Sequence, residues 1–234
     1  MTVAAASPGM VIAIDGPSGA GKSTLTRLLA QRLGYLHIDT GAMYRTLALA
    51  VSRSGISVDD EAAVAALCQG VVIEFLRDDD GYRVISDGED VSLAIRTPEI
   101  SMLTSRISAQ GAVREILLKL QRELGKGGGV ILEGRDIGTV VFPHARVKFF
   151  LSASARERGE RRYLELREKG AQATLEETLA AVARRDEQDA ARELAPLKKA
   201  SDAVEIDSTG VSIESVLSRM EQVVRERIAE PLGG

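Results

Sequence analysis

Short, almost continuously apolar segments recur along the chain, separated by longer stretches in which apolar residues repeat at helical spacing. Runs such as VILE and VKFFL are typical of parallel strands that are buried on both faces. Strands are predicted at five places: Met10–Asp15, Leu36–Asp39, Gly129–Glu133, Val147–Ala153 and Ala203–Asp207. Helices are predicted at Lys22–Leu33, Ala42–Ser54, Glu61–Gln69, Thr104–Leu124, Ser154–Lys169, Leu175–Ala191 and Ile213–Ala229. This alternation indicates an α/β fold with a five-stranded parallel sheet flanked by helices.

One region departs from this alternation. Val71–Phe75 and Tyr82–Ile85 flank the sequence Asp78-Asp79-Asp80-Gly81, and an Asp-Gly step between two apolar runs favours a hairpin turn. Glu89–Ser92 predicts a further short strand. We therefore expect a small antiparallel insert over Val71–Ile95 beside the main sheet. The alternative is a hairpin that only decorates the surface.

The composition narrows the class of protein. A chain of 234 residues with 44% hydrophobic and 27% charged residues suits one soluble domain. The formal net charge is -4, and because nucleic-acid binders usually carry a basic bias, we expect no nucleic-acid partner. No apolar run approaches the roughly 18 residues that span a bilayer. Met1–Met10 lacks the features of a secretory signal, and the single Cys68 cannot form an intrachain disulfide. We therefore expect a cytoplasmic monomer without a membrane partner.

The residues that follow the first predicted strand form the most specific motif in the chain. They satisfy G-x-x-x-x-G-K-[ST] between a strand and a helix, which is the context of a phosphate-binding loop, or P-loop. Its glycines let backbone N–H groups turn towards a polyphosphate at the helix N-terminus. Lys22 is expected to reach the β- and γ-phosphates of ATP, and the Ser23 hydroxyl to ligate Mg²⁺. The predicted ATP-binding residues are Gly16, Pro17, Ser18, Gly19, Ala20, Gly21, Lys22, Ser23 and Thr24.

Two classes of P-loop protein are excluded by what the sequence lacks. A GTPase recognises guanine with an N-K-x-D signature, and the chain contains no asparagine. An ABC-type ATPase carries an LSGGQ-like signature, which is also missing. The length then favours a kinase that acts on a small molecule.

Arginines after two other predicted strands indicate where the acceptor binds. Arg45 follows the second strand within DTGAMYR, and Arg135 and Asp136 follow the third within EGRDIGTVVFP. Ligand-binding residues cluster at the carboxyl ends of parallel strands, so these side chains should face the crevice beside the P-loop. Arg45 can clamp an acceptor phosphate with two parallel hydrogen bonds and align it for in-line attack.

The motifs DGPSGAGKST, DTGAMYR, IRTPEIS, EGRDIGTVVFP and RRDEQDAAR together resemble those of bacterial-type cytidylate kinases, which are nucleoside monophosphate kinases of the P-loop class. They occur in that family's order and spacing across nearly the whole chain. The resemblance implies one kinase domain over residues 1–234, with an acceptor-binding insert at 40–115, its hairpin at about 71–95, and a helical lid at 154–170. It also implies that CMP and dCMP are phosphorylated to CDP and dCDP by ATP with Mg²⁺.

The resemblance assigns roles to individual residues. The implied catalytic residues are Lys22, Arg135, Arg158 and Arg162, the last two as lid arginines over ATP. The implied CMP-binding residues are Thr40, Tyr44, Arg45, Ser105, Arg114, Arg135, Asp136, Arg185, Asp189 and Arg192. Of these, Arg45 and Arg135 are implied to hold the phosphate, with Thr40 nearby. The cytosine is implied to lie among Ser105, Arg114 and Asp136, and the sugar and phosphate near Arg185, Asp189 and Arg192.

Two positions depart from the family pattern. Thr40 stands where the family often has serine, which is a conservative change. Glu133 stands where it often has aspartate, so a role for Glu133 at a metal-bound water is left open. Neither His37 nor His144 has a partner at metal-ligand spacing, and neither is given a role.

Helical spacing independently groups some of these residues. Arg185, Asp189 and Arg192 are spaced i, i+4, i+7 and share a helix face, as do Arg158 and Arg162 at i, i+4. In an acidic protein, such faces suggest a phosphate cage. The alternative is a solvated helix surface on which the arginines pair with neighbouring acids, namely Glu157, Glu160, Glu165 and Asp186.

Two functional alternatives remain from the sequence. The acceptor can be another small molecule, as in a UMP kinase, or the chain can be a nucleotide-binding switch without enzymatic activity.

For cytosine recognition, a carboxylate suits the N4 amino group, and Asp136 is the best candidate. The competing interpretation is that Asp136 only neutralises Arg135.

Overall fold

Strands and helices alternate along most of the chain. The structure is a computed structural model that describes residues 9–78, 81–168, 170, 172–192 and 194–229. Within these residues the strands are β1 (Val11–Asp15), β2 (Leu36–Asp39), β3 (Ile73–Asp78), β4 (Gly81–Ser86), β5 (Glu89–Asp90), β6 (Val130–Gly134), β7 (Val147–Ser152) and β8 (Val204–Asp207). The α-helices are α1 (Lys22–Leu33), α2 (Thr40–Ser54), α3 (Glu61–Gly70), α4 (Pro98–Ile107), α5 (Gly111–Gly125), α6 (Ala155–Glu168), α7 (Leu175–Ala190) and α8 (Ile213–Ala229).

Five strands form a parallel sheet in the order β2-β6-β1-β7-β8. The central strand β1 pairs with β6 on one side, where Val11 is aligned with Val130, and with β7 on the other, where Ile12 is aligned with Val147. The predicted five-stranded parallel sheet is therefore confirmed. All five carboxyl ends lie at the same edge of the sheet, which is the edge where ligands bind in open α/β folds.

The core is divided between the two faces of the sheet. Ala13 and Leu132 pack towards α2, α3 and α5, whereas Ile12 and Ile131 pack towards α1 and α8. This division follows from the two-residue period of a strand, because successive side chains point to opposite faces. Both faces are covered, which explains why these strands are apolar almost throughout.

The insert is a second, antiparallel sheet with the strand order β3-β4-β5. Phe75 is aligned with Val84 and Ile85 with Asp90, so the predicted hairpin and the further short strand are confirmed. The predicted turn residues Asp79 and Asp80 lie outside the described residues. Val84 and Ile73 pack into the same apolar cluster as α2, and the insert is therefore continuous with the main core.

The predicted helix Thr104–Leu124 is wrong, because the structure has two helices there. The first, α4, ends at Ile107, where the Ser108 hydroxyl donates to the carbonyl oxygen of Ser105 at 3.1 Å. Gln110 is extended, and α5 begins at Gly111. The start of α4 has a clear signal, since Thr97 caps it by accepting from the N–H of Ile100, and Pro98 occupies the first turn.

The other predicted helices agree with the structure to within two residues at each described end. The largest shift is at α2, which begins at Thr40 rather than Ala42 because the Asp39 carboxylate caps it by accepting from the N–H of Ala42 at 3.0 Å. The predicted end at Lys169 lies outside the described residues. In the described part of the chain, we find no helix with the length and apolar character that crossing a membrane requires.

The buried sheet predicts a contrast between two leucines. Leu132 is fully buried in β6, so we expect Leu132→Ala to lower the free energy of unfolding by about 2–5 kcal/mol through lost burial and the cavity left behind. Leu93 is 86% exposed, and Leu93→Ala should change it by less than about 0.5 kcal/mol. Urea unfolding followed by circular dichroism measures both values. Equal losses in the two variants would contradict this view of the core.

Candidate active site

The P-loop connects the end of β1 to the start of α1 and passes close to β7 and α6. A Cβ atom at Gly16 would lie 2.0 Å from the carbonyl oxygen of Leu151, and one at Gly19 would lie 3.0 Å from the Cβ of Arg158. Both glycines also have positive φ angles, 149° and 79°. The loop backbone can therefore follow this path only if these positions carry no side chain.

Lys22 is buried at the start of α1 and bonds to the loop itself. Its ammonium group donates to the carbonyl oxygens of Gly16 and Pro17 at 2.8 and 2.7 Å. Burial, together with the neighbouring Arg135, lowers the pKa of Lys22 to about 7. Carbonyl oxygens carry no net charge, so the ammonium charge is only partly compensated. A polyphosphate held by the loop would compensate it.

Ser23, which is exposed at the start of α1, connects the P-loop to buried polar groups. Its hydroxyl donates to Oε2 of Glu133 at 2.9 Å, while Oε1 of the same carboxylate lies 2.9 Å from Nε2 of His37. The Thr40 hydroxyl donates to the backbone carbonyl oxygen of Glu133 at 2.7 Å. Glu133 thus fixes the end of β6 against both the P-loop and β2.

These groups can be tested for their fit to Mg²⁺. The Ser23 hydroxyl and the Glu133 carboxylate present hard oxygen atoms of the kind that Mg²⁺ prefers. Among the described residues, no group of three or more histidine, cysteine, aspartate or glutamate side chains could hold a metal by itself. Mg²⁺ commonly binds through one or two protein ligands and substrate phosphates. The residues therefore fit a metal ion that arrives with the nucleotide.

Asp39 positions Arg45 at the end of β2. Its Oδ2 accepts hydrogen bonds from Nη2 of Arg45 at 2.8 Å and from the Tyr82 hydroxyl at 2.9 Å. Burial acts to raise the pKa of Asp39, but Arg45 and His37 outweigh it and the pKa falls to about 2. The Nε of Arg45 is buried and makes no hydrogen bond within the described residues. One donor of Arg45 is therefore left without a partner among the described residues, and Tyr82 brings the insert to this point.

A second group of arginines surrounds Asp189. Arg135 donates to one oxygen of this carboxylate at 2.7 Å, and Arg192 donates to the other at 2.6 Å. Arg185 lies one turn earlier in α7, and its guanidinium group makes no hydrogen bond or ion pair with any described residue. The cleft wall partly desolvates this group even though much of the residue is exposed, and with Arg135 nearby its pKa falls to about 10. The surplus positive charge favours an anion here.

Asp136 faces α5 rather than the neighbouring arginine. Its carboxylate accepts a short hydrogen bond from Arg114, whereas Arg135 is bound to Asp189. Burial raises the pKa of Asp136, although Arg114 opposes this effect. Burial also raises the pKa of the nearby Tyr44 to about 12. Asp136 is therefore not the ion-pair partner of Arg135.

Ser105 lies at the rim of the same crevice, in the last turn of α4. Its hydroxyl donates to the side-chain oxygen of Gln188 in α7 at 3.3 Å. This contact is exposed and links the insert side of the crevice to the helix that carries Asp189. Ser105 is therefore placed between the two walls of the crevice and not in its floor.

The two predicted lid arginines have different environments. Arg158 is buried, forms a two-pronged ion pair with Asp186 at 2.9 and 2.6 Å, and donates to the carbonyl oxygen of Ser18 at 3.1 Å. Arg162 is exposed and pairs with Glu165 at 2.7 Å, so the structure does not bring it to the P-loop. Arg162 therefore pairs with an acid on the helix surface, as the alternative interpretation predicted. Arg158 instead contacts the P-loop.

Arg161 is a residue that the sequence reasoning missed. It donates to the backbone carbonyl oxygen of Ser208 at 2.9 Å, and its Nη1 would lie 3.7 Å from a Cβ atom at Gly21. The signal was present in RERGERR, because a residue at i+3 from Arg158 shares its helix face as well as one at i+4 does. Arg158 and Arg161 are therefore the two arginines of α6 that lie next to the P-loop.

Asp15 was also given no role, yet it joins the two sides of the site. After Asp136 the backbone makes one wide turn, Ile137–Val141, in which the N–H of Phe142 bonds to the carbonyl oxygen of Ile137 at 2.7 Å. The Asp15 carboxylate accepts from the N–H groups of Ile137 and Gly138 at 2.8 and 2.7 Å. The residue before the P-loop thus holds the backbone that follows Arg135 and Asp136.

A P-loop after the central strand of a parallel sheet, facing a crevice lined with arginines, defines a P-loop kinase. A solved structure of an uncharacterized protein from Eubacterium ventriosum superimposes with a TM-score of 0.52, covers 94% of this chain and 99% of that one, and is 9% identical, which supports the fold alone. The chain belongs to the cytidylate kinase family, whose model matches residues 12–226. The cytidylate kinase of Geobacter sulfurreducens is 66% identical over 96% of each chain, and that of Geobacillus sp. is 48% identical over 93% of this chain and 97% of the relative.

The pKa of Lys22 leads to a prediction about nucleotide binding. At a pH of about 8 the lysine is mostly neutral when the loop is empty, because its pKa is about 7. A bound polyphosphate favours the charged form and should return the pKa towards the ordinary value of about 10.4. ADP binding should therefore take up close to one proton, and its affinity should fall as the pH rises above 7.

Calorimetry in two buffers with different ionisation enthalpies measures this proton uptake. Lys22→Met keeps the length of the side chain and should lose most of the uptake, which separates the lysine from protonation of the nucleotide itself. Equal uptake in the wild type and the variant would assign the proton to another group.

Proposed function

We propose that this chain transfers the γ-phosphoryl group of ATP to CMP or dCMP, giving ADP and CDP or dCDP, with Mg²⁺ bound to the ATP. The observation that carries this proposal is the surplus of guanidinium groups on the acceptor side of the crevice. Among the described residues, five arginines face three carboxylates there: Arg45, Arg114, Arg135, Arg185 and Arg192 against Asp39, Asp136 and Asp189. Membership in the cytidylate kinase family supports the choice of acceptor. We expect the protein to act in the cytoplasm as a monomer.

On the donor side, the P-loop from Gly16 to Thr24 holds the triphosphate with its backbone N–H groups. Lys22 exchanges its bonds to the loop carbonyls for bonds to the β- and γ-phosphates. Mg²⁺, when bound, would neutralise part of the negative charge on the phosphates. Ser23 would ligate it, and Glu133 would hold the Ser23 hydroxyl and the water around the metal.

On the acceptor side, the protein contributes to the reaction mainly by positioning the acceptor phosphate. The attacking group is an anionic phosphate oxygen of CMP, so no general base is needed. Arg45 and Arg135 hold that phosphate, and Thr40 lies beside them. Arg185, Asp189 and Arg192 complete the cage around the phosphate and sugar. The guanidinium groups align the acceptor oxygen with the γ-phosphorus and offset the repulsion between the two anions.

We expect the lid, residues 154–170 by resemblance to the family, to close over the donor site. Arg158 reaches the P-loop already, since it donates to the carbonyl oxygen of Ser18. Arg162 must leave Glu165 and turn inwards before it can contact ATP. Closure of this helix over bound ATP would exclude water and limit hydrolysis in the absence of an acceptor.

Base recognition is assigned to Asp136. Cytosine presents an amino donor at position 4 where uracil presents a carbonyl acceptor, and a carboxylate accepts from the amino group. Arg114 holds the Asp136 carboxylate and can donate to O2 or N3 of the base. Ser105 at the rim is a weaker partner. This assignment is supported by the pairing of Asp136 with Arg114 rather than with Arg135.

Two other functions fit parts of the site. A UMP kinase, or a kinase with a different small acceptor, would share the P-loop and the phosphate arginines. A nucleotide-binding switch without enzymatic activity would need no acceptor-phosphate arginines, so the group around Asp189 argues against it.

An acceptor screen tests the proposed reaction. With ATP and Mg²⁺, we expect ADP release to be fastest with CMP and dCMP, and slower with UMP, AMP and GMP. The coupled assay compares kcat/KM for the five acceptors. AMP or GMP exceeding both cytidine nucleotides by about tenfold would contradict the proposed acceptor, and no turnover with any acceptor would favour the switch.

Base recognition can be tested with Asp136→Ala. A buried carboxylate facing the uracil carbonyl costs roughly 1–3 kcal/mol, so its removal should shrink the ratio of kcat/KM for CMP over UMP by at least about tenfold. The KM for ATP should barely change, because Asp136 lies on the acceptor side. Asp59→Ala, which removes an exposed ion pair with Arg106, is the matched control and should leave the ratio unaltered. A preserved ratio in Asp136→Ala would move base recognition to another residue.

A further inference from the structure

His37 is buried at the end of β2 and has no part in the mechanism above. The residue is 6% exposed, and its strand is aligned with β6 so that His37 lies opposite Ile131 and Asp39 lies opposite Glu133. This register places the imidazole and the Glu133 carboxylate two positions apart on neighbouring strands. The contact between them is therefore fixed by the sheet and not by a mobile loop.

The imidazole makes one polar contact. Its Nε2 lies 2.9 Å from Oε1 of Glu133, and because an ionised carboxylate only accepts, Nε2 carries the proton. Its Nδ1 is buried and has no hydrogen-bond partner in the described part of the chain. A buried histidine that leaves one ring nitrogen unpaired has its orientation set by the other nitrogen. Here that partner is Glu133.

Glu133 needs such a partner. Its side chain is one methylene longer than aspartate, and burial at 3% exposure leaves its carboxylate dependent on protein donors. His37 occupies Oε1, so Oε2 is directed at the Ser23 hydroxyl at 2.9 Å. Because Ser23 donates its hydrogen to Glu133, the lone pairs of its oxygen face away from the carboxylate and stay available to a metal ion.

The other side of the imidazole rests against the insert. The ring of Tyr82 lies edge-on to it, with centroids 4.8 Å apart and planes at 85°. The Tyr82 hydroxyl is bound to Asp39 and not to His37. The hairpin strand β4 thus holds the imidazole in place without competing for its proton.

We propose that His37 is a positioning residue for the metal end of the P-loop: it fixes the Glu133 carboxylate, which in turn orients the Ser23 oxygen towards Mg²⁺. Residues that hold the groups around a metal, without binding the metal themselves, typically change metal affinity or activity by about 10- to 100-fold when they are removed. The inference rests on the magnesium role of Ser23 in the proposed function. A purely packing role for the imidazole predicts instead that only its size matters.

The test measures binding rather than turnover. The Kd of ADP is determined by calorimetry with Mg²⁺ and again with a chelator, and the ratio reports how much the metal strengthens binding. His37→Leu removes the donor and should reduce this ratio by about tenfold or more, while the Kd of ADP without metal stays the same. His37→Gln places an amide N–H near the position of Nε2 and should keep most of the ratio.

Two further variants keep the test decisive. If His37→Leu does not fold, His37→Asn replaces it, because its shorter amide cannot reach Glu133 and should lose the ratio that His37→Gln keeps. Tyr82→Phe retains the ring against His37 but removes the bond to Asp39. It should leave the metal ratio unchanged and raise the KM for CMP through Arg45.

The outcomes distinguish the positioning role of His37 from the magnesium site at Ser23 on which it rests. An unchanged ratio in both His37→Leu and His37→Asn, or an equal loss in His37→Gln and His37→Leu, overturns the positioning role. A wild-type ratio near one overturns it together with the magnesium site. The acceptor plays no part in these titrations, so a failed acceptor screen contradicts the proposed substrate and leaves the result for His37 standing.

Discussion

The Asp15 carboxylate accepts two backbone N–H groups, from Ile137 and Gly138, that lie 122 and 123 residues further along the chain. Because Asp15 ends β1 and the wide turn follows β6, this buried group fixes the start of the P-loop against the backbone that carries Arg135. Burial raises the pKa of Asp15 to about 6, and the two N–H bonds favour the charged form that can accept both. Phosphoryl transfer depends on alignment of two phosphates, so the separate halves of the crevice rely on this contact.

The parallel sheet, the P-loop and the antiparallel insert could all be predicted from the sequence, because each has a local signal. Apolar runs such as VILE mark doubly covered strands, the loop motif carries its own glycines, and the Asp-Gly step marks a hairpin. The arginines at strand ends were also predictable, since parallel strands bring their carboxyl ends together. Arg45 and Arg135 accordingly lie at the same edge of the sheet as the P-loop.

Other features depend on contacts between distant residues and left no such signal. The break between α4 and α5 interrupts an amphipathic pattern that continues through Ser108 and Gln110, so periodicity alone could not detect it. Helical spacing could not decide between Arg161 and Arg162, because that choice depends on how α6 packs against the P-loop. The contact between His37 and Glu133 joins residues 96 positions apart and follows only from the register of two strands.

That register has a consequence for how the chain can change during evolution. Asp39 and Glu133 lie at the same level of adjacent strands, and the first accepts a hydrogen bond from Arg45 while the second accepts one from Ser23 in the P-loop. An insertion or deletion of one residue within β2 or β6 would turn the following side chains to the opposite face of the sheet. Surface connections tolerate such length changes far better, and the exposed turn at Asp87 and Gly88 is one of them. The two strands thus fix the spacing between the groups that hold Arg45 and Ser23, whereas a change of chain length is accommodated in exposed turns such as the one at Asp87 and Gly88.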